Sequence, residues 1–164
     1  MEQLDTLSSQ ISFATDGSQY LTFRLRDEEY GVEILKVQEI KGYSAITPVP
    51  NTPAYLKGVM NLRGTIVPVV DLRAKFAMEA AEYTAFTVII VLTVGTKVMG
   101  LIVDAVSDVL NIPKTDIQAT PDFGAQVDAR FISGMAKAGE KLVVLLDIET
   151  VLGGAELTVL GGTN

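Results

Sequence analysis

The sequence predicts an all-β protein, built as two small barrels side by side with only short helices. Three observations predict it. Apolar and β-branched residues come in runs of strand length, such as Leu21–Leu25, Phe86–Thr93 and Val98–Val103. Helical periodicity is nowhere sustained beyond about two turns. The chain also carries a weak internal duplication: Tyr30–Ile40 lies on Met99–Val109, and Tyr55–Leu72 lies on Phe131–Ile148, in the same order. Gly31 then meets Gly100, Glu39 meets Asp108, Gly58 meets Gly134 and Asp71 meets Asp147. About five strands per repeat gives two five-stranded barrels, and closing each sheet removes most exposed edges.

Taken in order, residues 1–18 are polar and read as a flexible arm. Tyr20–Leu25 alternates as a half-buried strand, Arg26–Glu29 turns, and Tyr30, Val32 and Ile34 alternate again to complete a hairpin. Val37 and Ile40 fall out of that phase, so a kink or bulge is expected near Leu35-Lys36. Thr47–Pro53 is a proline-stiffened connection. Gly58–Leu72 is a second hairpin, with Arg63 at its tip and Gly64 suited to the third position of a type II turn. Pro68 cannot donate to a ladder, so it is expected at an edge or a bulge. Arg73–Glu82 is Ala-rich and suits a short helix and a linker, while Ala105–Leu110 and Leu142–Leu146 are further strands. The first barrel is expected over roughly 19–82, the second over roughly 83–153, and 154–164 is a glycine-rich tail.

Composition narrows the chemistry. With 164 residues, 48% of them apolar and 20% charged, the chain can bury a core as one ordinary domain or two very small ones. A net charge of −7 disfavours nucleic acid and anionic membranes, both of which attract clustered Lys and Arg. There is no cysteine and no histidine. That excludes a thiolate nucleophile, a disulfide framework, a Cys/His zinc site and a histidine general base. No leader segment is visible, and the longest apolar runs fall far short of the roughly 20 residues that span a bilayer. The chain reads as soluble and cytoplasmic, without membrane insertion, metal or cofactor.

Three features carry candidate chemistry. Asp71 and Asp147 end apolar strands at matching points and could be read as a carboxylate dyad, but each precedes a short amphipathic stretch and better suits a helix N-cap. Gly153-Gly154 and Gly161-Gly162 lack the lysine of a phosphate loop and read as helix stops or chain ends. Arg63 lies among apolar Val59, Leu62, Ile66 and Val67 and needs a partner, for which Glu39 on the earlier strand is the candidate. Val37, Ile40 and Tyr43, punctuated by Glu39, Lys41 and Gly42, form an apolar patch with a polar rim, the usual anatomy of a protein interface.

Tyr30–Ile40, the Gly58-Val59-Met60-Asn61-Leu62-Arg63-Gly64 turn and its sequel Val67–Arg73 resemble the CheW family of bacterial chemotaxis coupling proteins. The resemblance covers roughly Gln19–Leu152, and Val98–Val109 fits it too. It implies two SH3-like barrel subdomains and no catalysis. It also implies a cytoplasmic adaptor that joins the histidine kinase CheA to the tips of methyl-accepting chemoreceptors. By motif match Val37, Glu39, Ile40, Gly58 and Arg63 would stand at or near the partner surfaces, with Gly42, Tyr43, Asn61 and Leu62 beside them. Thr87 and Val88 would line the groove for the receptor hairpin. A small-molecule-binding double barrel and an aspartate-dependent hydrolase are the rival classes.

Overall fold

The computed structural model describes residues 18–80, 82–119 and 129–153; most of the expected N-terminal arm and the whole C-terminal tail lie outside them. Strands β1 (Ser18–Leu25) and β2 (Glu28–Glu33) form the first hairpin. A 3-10 turn at Ile34–Lys36 supplies the expected kink and leads into β3 (Val37–Gly42). Strands β4 (Leu56–Leu62) and β5 (Thr65–Asp71) form the second hairpin, followed by α1 (Leu72–Lys75). The chain continues through β6 (Val88–Val94), β7 (Lys97–Val103), β8 (Ala105–Ile112), β9 (Ile117–Gln118), β10 (Ile132–Ala138), β11 (Lys141–Leu146) and α2 (Ile148–Leu152).

These strands form two sheets, giving the mostly-β, two-subdomain SH3-like architecture that was expected. The central sheet has five strands in the order β3-β6-β7-β5-β4. The terminal sheet has six, β8-β1-β2-β11-β10-β9, the sixth being the two-residue β9.

The expected division of the barrels near residue 82 is wrong. Each repeat lends its first hairpin to the sheet of the other: β1–β2 join β8, β10 and β11, while β6–β7 join β3, β4 and β5. The crossings are tight. Ile34–Lys36 makes one, and Asp104, the only residue between β7 and β8, makes the other. Exchange produces one parallel contact per sheet, β2 with β11 and β7 with β5, which no local hairpin could make. The registers correspond: Leu145 stands opposite Gly31, and Val69 stands opposite Gly100, the positions the duplication aligns. So do the irregularities. The ladder slips between Leu56 and Gly58 and between Ile132 and Gly134.

Exchange also explains why β6 reads as a continuous apolar run. Ile90 and Leu92 face the large core shared between the sheets, while Ile89 and Val91 face the inner cluster of the central subdomain with Met60, Leu62, Val67, Val69 and Ile102. A strand buried on both faces has no polar phase. The terminal subdomain has its own inner cluster of Tyr20, Ile112, Ala136, Val143 and Leu145. Within the shared core, Phe23, Tyr30, Phe76 and Phe131 follow one another at 5.8–6.0 Å between ring centroids, the outer two pairs stacked and the middle pair tilted.

Ion pairs fasten both crossings. Lys36 reaches Glu149 of α2 at 2.9 Å, and Asp104 receives Arg73 of α1 at 2.5 Å. Arg73 and Glu149 occupy equivalent helix positions, so the two ties have opposite polarity. Burial pushes the Asp104 carboxyl up, but the Arg73 guanidinium and the Arg26 N–H outweigh it and hold it below the usual range. Pro68 is not on an edge strand, because β5 lies between β7 and β4. The β5–β7 ladder covers only Val69–Asp71, so the residue without an N–H stands just before it.

Gly58 has φ +150°, and a Cβ there would stand 2.1 Å from the Thr47 carbonyl oxygen, whose residue bridges to Val59. A Cβ at Gly31 would meet side chains and no backbone, the nearest being Leu145 at 3.0 Å. Gly58→Ala is therefore expected to lower stability by about 2–3 kcal/mol in urea unfolding, and Gly31→Ala by clearly less. Equal losses would contradict the assignment of Gly58 to a backbone constraint.

Candidate functional site: a clasped edge strand

Strands β3 and β4 are the opposite edges of the central sheet. They nevertheless meet, because Arg63, at the tip of the β4–β5 hairpin, donates from Nη2 to Glu39 Oε2 of β3 at 2.6 Å. A flat five-stranded sheet could not bring these residues together. The pair marks where the sheet coils round on itself, and it clasps the seam.

The tip is built for this. Arg63 and Gly64 both have positive φ, 50° and 91°, so the turn belongs to the I′ type, not the expected type II. The twist of type I′ matches that of the flanking strands, at the cost of putting a non-glycine residue into left-handed backbone. Asn61 Oδ1 accepts from the Gly64 N–H at 2.8 Å and stiffens the turn. On the other side, the ladder of β3 with β6 slips between Val37 and Glu39.

The expected Glu39–Arg63 pair is thus present, at the surface: the side chains are 31% and 70% exposed. Leu62 and Val67 point inward while Ile66 stays exposed, so the arginine does not sit in an apolar pocket. Its hydrogen bond to Glu39, against a smaller opposing effect of burial, holds the Glu39 carboxyl below its ordinary value.

Along the seam the predicted residues separate by depth. Val37, Ile40 and Val88 are half-buried and pack on the shared core, leaving an apolar strip on the β3–β6 side. Glu39 is half-buried, while Gly42, Tyr43, Asn61 and Arg63 are exposed. Gly58, Leu62 and Thr87 are buried and shape the site from beneath. Thr87 accepts the Tyr43 N–H on its carbonyl at 3.2 Å and the Thr84 N–H on its hydroxyl at 2.8 Å. Sequence reasoning missed Leu35 and Phe86, which are 91% and 74% exposed at either end of this strip. The out-of-phase Leu35 and the apolar Phe86 beside two threonines were the available signals.

Among the described residues, the terminal subdomain has no counterpart to the clasp. Asp108 stands where Glu39 does, but Gly139 replaces Arg63, and the Asp108 carboxylate accepts the N–H of its own neighbour, Val109, at 2.7 Å.

Asp71 and Asp147 cap helices. Asp71 Oδ1 accepts from Arg73 N at 3.0 Å and Ala74 N at 3.4 Å, and Asp147 Oδ1 accepts from Thr150 N at 3.4 Å. Among the described residues no group of three or more Asp or Glu is placed to hold a metal, and no helix is long and apolar enough to cross a membrane.

A family model described as a CheW-like domain matches residues 19–156. The chain is 44% identical to the chemotaxis protein CheW of Klebsiella aerogenes over 152 residues, covering 93% of this chain and 92% of that protein. It is 42% identical to the chemotaxis protein CheW of Rhizobium meliloti over 135 residues, covering 82% and 87%. Among solved structures, the scaffolding protein TtCheW from Thermoanaerobacter tengcongensis superimposes with a TM-score of 0.79 at 30% identity, covering 88% of this chain and 93% of that one.

The clasp has a pH signature. A carboxyl depressed in the folded state contributes stability that is complete above its unfolded pKa, about 4.3 for glutamate, and is lost as pH falls through the folded value. In an NMR titration the Glu39 carboxyl should have its midpoint below that of free glutamate, and Arg63→Ala should return it upward. An unchanged midpoint in Arg63→Ala would mean the pair is not formed in solution.

Proposed function

We propose that this chain, which belongs to the CheW family, is a non-enzymatic adaptor of bacterial chemotaxis. It joins the histidine kinase CheA to the cytoplasmic tips of methyl-accepting chemoreceptors and works at receptor arrays on the inner face of the membrane. The observation that carries this reading is the clasped edge strand: a half-buried apolar strip of Val37, Ile40 and Val88, rimmed by Glu39, Tyr43 and the Arg63 turn, on a rigid frame.

The mechanism is geometric. A strip of this kind can take an apolar face of a helical hairpin, and the charged turn beside it fixes orientation. One rigid body that holds a receptor tip near a kinase raises their effective concentration, and it lets receptor conformation bias kinase activity through the shared contacts. Each interface can be modest if many repeat across an array. The regulatory domain of CheA resembles the same double barrel, so barrel can pack against barrel.

Calorimetry tests this with the regulatory domain of CheA and a receptor-tip fragment from the same organism. Saturable one-to-one binding to each is expected. Val37→Asp or Arg63→Glu should weaken at least one of the two on the order of tenfold, with the melting transition retained. A folded sample that binds neither partner would refute the adaptor reading.

A further inference from the structure

Tyr83 lies in the linker between α1 and β6, and it touches three separated parts of the central subdomain. Its hydroxyl donates to Asp71 Oδ2, at the end of β5, at 2.8 Å. Its ring stands 4.4 Å from that of Tyr43, just beyond β3, and Lys57 Nζ of β4 lies 5.3 Å from its centroid. It also packs on the inner cluster of that subdomain. In the sheet, Asp71 pairs with Ile102, Ile102 with Ile89 and Ile89 with Lys41, so two whole strands separate Asp71 from β3. Tyr83 reaches both at once only because the sheet coils. It bridges the same seam as Glu39–Arg63, at the other end of β5.

The pseudo-equivalent site shows what frees Asp71 for this. Asp147 spends its second carboxylate oxygen on the Thr150 hydroxyl, at 2.9 Å. The residue matching Thr150 in the first repeat is Ala74, which has no hydroxyl. Asp71 therefore caps α1 with one oxygen and keeps the other for Tyr83. The segment so anchored runs directly into Thr87 and Val88, and the Thr87 carbonyl takes the Tyr43 N–H.

We infer that Tyr83 is a positioning residue for the docking strip: its bond to Asp71 and its tilted ring contact with Tyr43 close the second end of the seam and hold the end of β3 and the start of β6 in binding geometry. The binding half of this inference rests on the adaptor reading above; the closure half does not.

Tyr83→Phe keeps the ring and removes the donor. Ala74→Thr offers Asp71 a competing hydroxyl and should mimic it while leaving Tyr83 in place. In both variants amide hydrogen exchange at Tyr43 should quicken roughly threefold to tenfold, as the loss of one hydrogen bond implies, with Val144 in the distant ladder unaffected. Affinity for a receptor-tip fragment should fall by a similar factor. Unchanged exchange at Tyr43 in both variants would overturn the closure. Faster exchange with wild-type affinity for both the receptor tip and the CheA regulatory domain would overturn the positioning role. If the unaltered protein binds neither partner, the adaptor reading fails and the binding half with it, while the exchange result still decides the closure.

Discussion

Exchange of hairpins between the two repeats is the constraint on which the rest of this structure depends. Once β1–β2 and β6–β7 cross over, each sheet needs strands from both halves of the chain, and neither half can bury its apolar faces by itself. The shared core follows, with Ile90, Leu92, Leu101 and Val103 from one repeat packed against Leu21, Phe23, Tyr30 and Val32 from the other. Fully burying such side chains contributes roughly 1.5–3 kcal/mol each, set against the entropy of ordering them, so the exchanged arrangement is favoured by many small terms. The oppositely charged ties at the crossings add direction: Arg73 meets Asp104 and Lys36 meets Glu149, whereas the interchanged contacts would set like charges together.

On this duplicated frame, the departures from symmetry gather in one place. The first repeat has Arg63 where the second has Gly139, and Ala74 where it has Thr150. The first difference creates the Glu39–Arg63 clasp and the second releases Asp71 to Tyr83. Both act on the seam beside β3, an edge strand whose backbone is an exposed pairing edge. An edge strand held at two points can offer a stiff apolar strip without slipping into non-specific pairing. Stiffness lowers the ordering cost of docking and so favours binding by a modest surface.

Much of this was legible in the sequence, and the failures have physical causes. Strand positions followed from alternation and β-branching, and the caps at Asp71 and Asp147 followed from an acid placed before a short amphipathic run. The Glu39–Arg63 pair followed from an arginine among apolar neighbours, although it proved to lie at the surface. The barrel boundary was misread because the sequence displays local hairpins, while the pairings of β2 with β11 and β7 with β5 join segments far apart in the chain. The turn type was misread because glycine at the third position suits both type II and type I′. Choosing between them needs the φ of Arg63, and an arginine there argues for a negative φ, against the positive φ that the twist of the hairpin imposes. Thr87 was expected to line a groove; its side chain is buried, with hydroxyl and carbonyl both engaged by neighbouring backbone. The exposed Leu35 and Phe86 went unnoticed because an apolar residue beside or within an expected strand reads by default as core, and Phe86 was read as the first residue of a strand that begins at Val88.

The most direct test of the central claim is a hydrogen-exchange footprint of the protein free and bound, first to a receptor-tip fragment and then to the regulatory domain of CheA. The account predicts that binding adds protection on Val37–Tyr43, on the turn around Arg63 and on Phe86–Val88. Protection confined to β8–β11 of the terminal sheet, with the β3 seam unchanged by either partner, would contradict it.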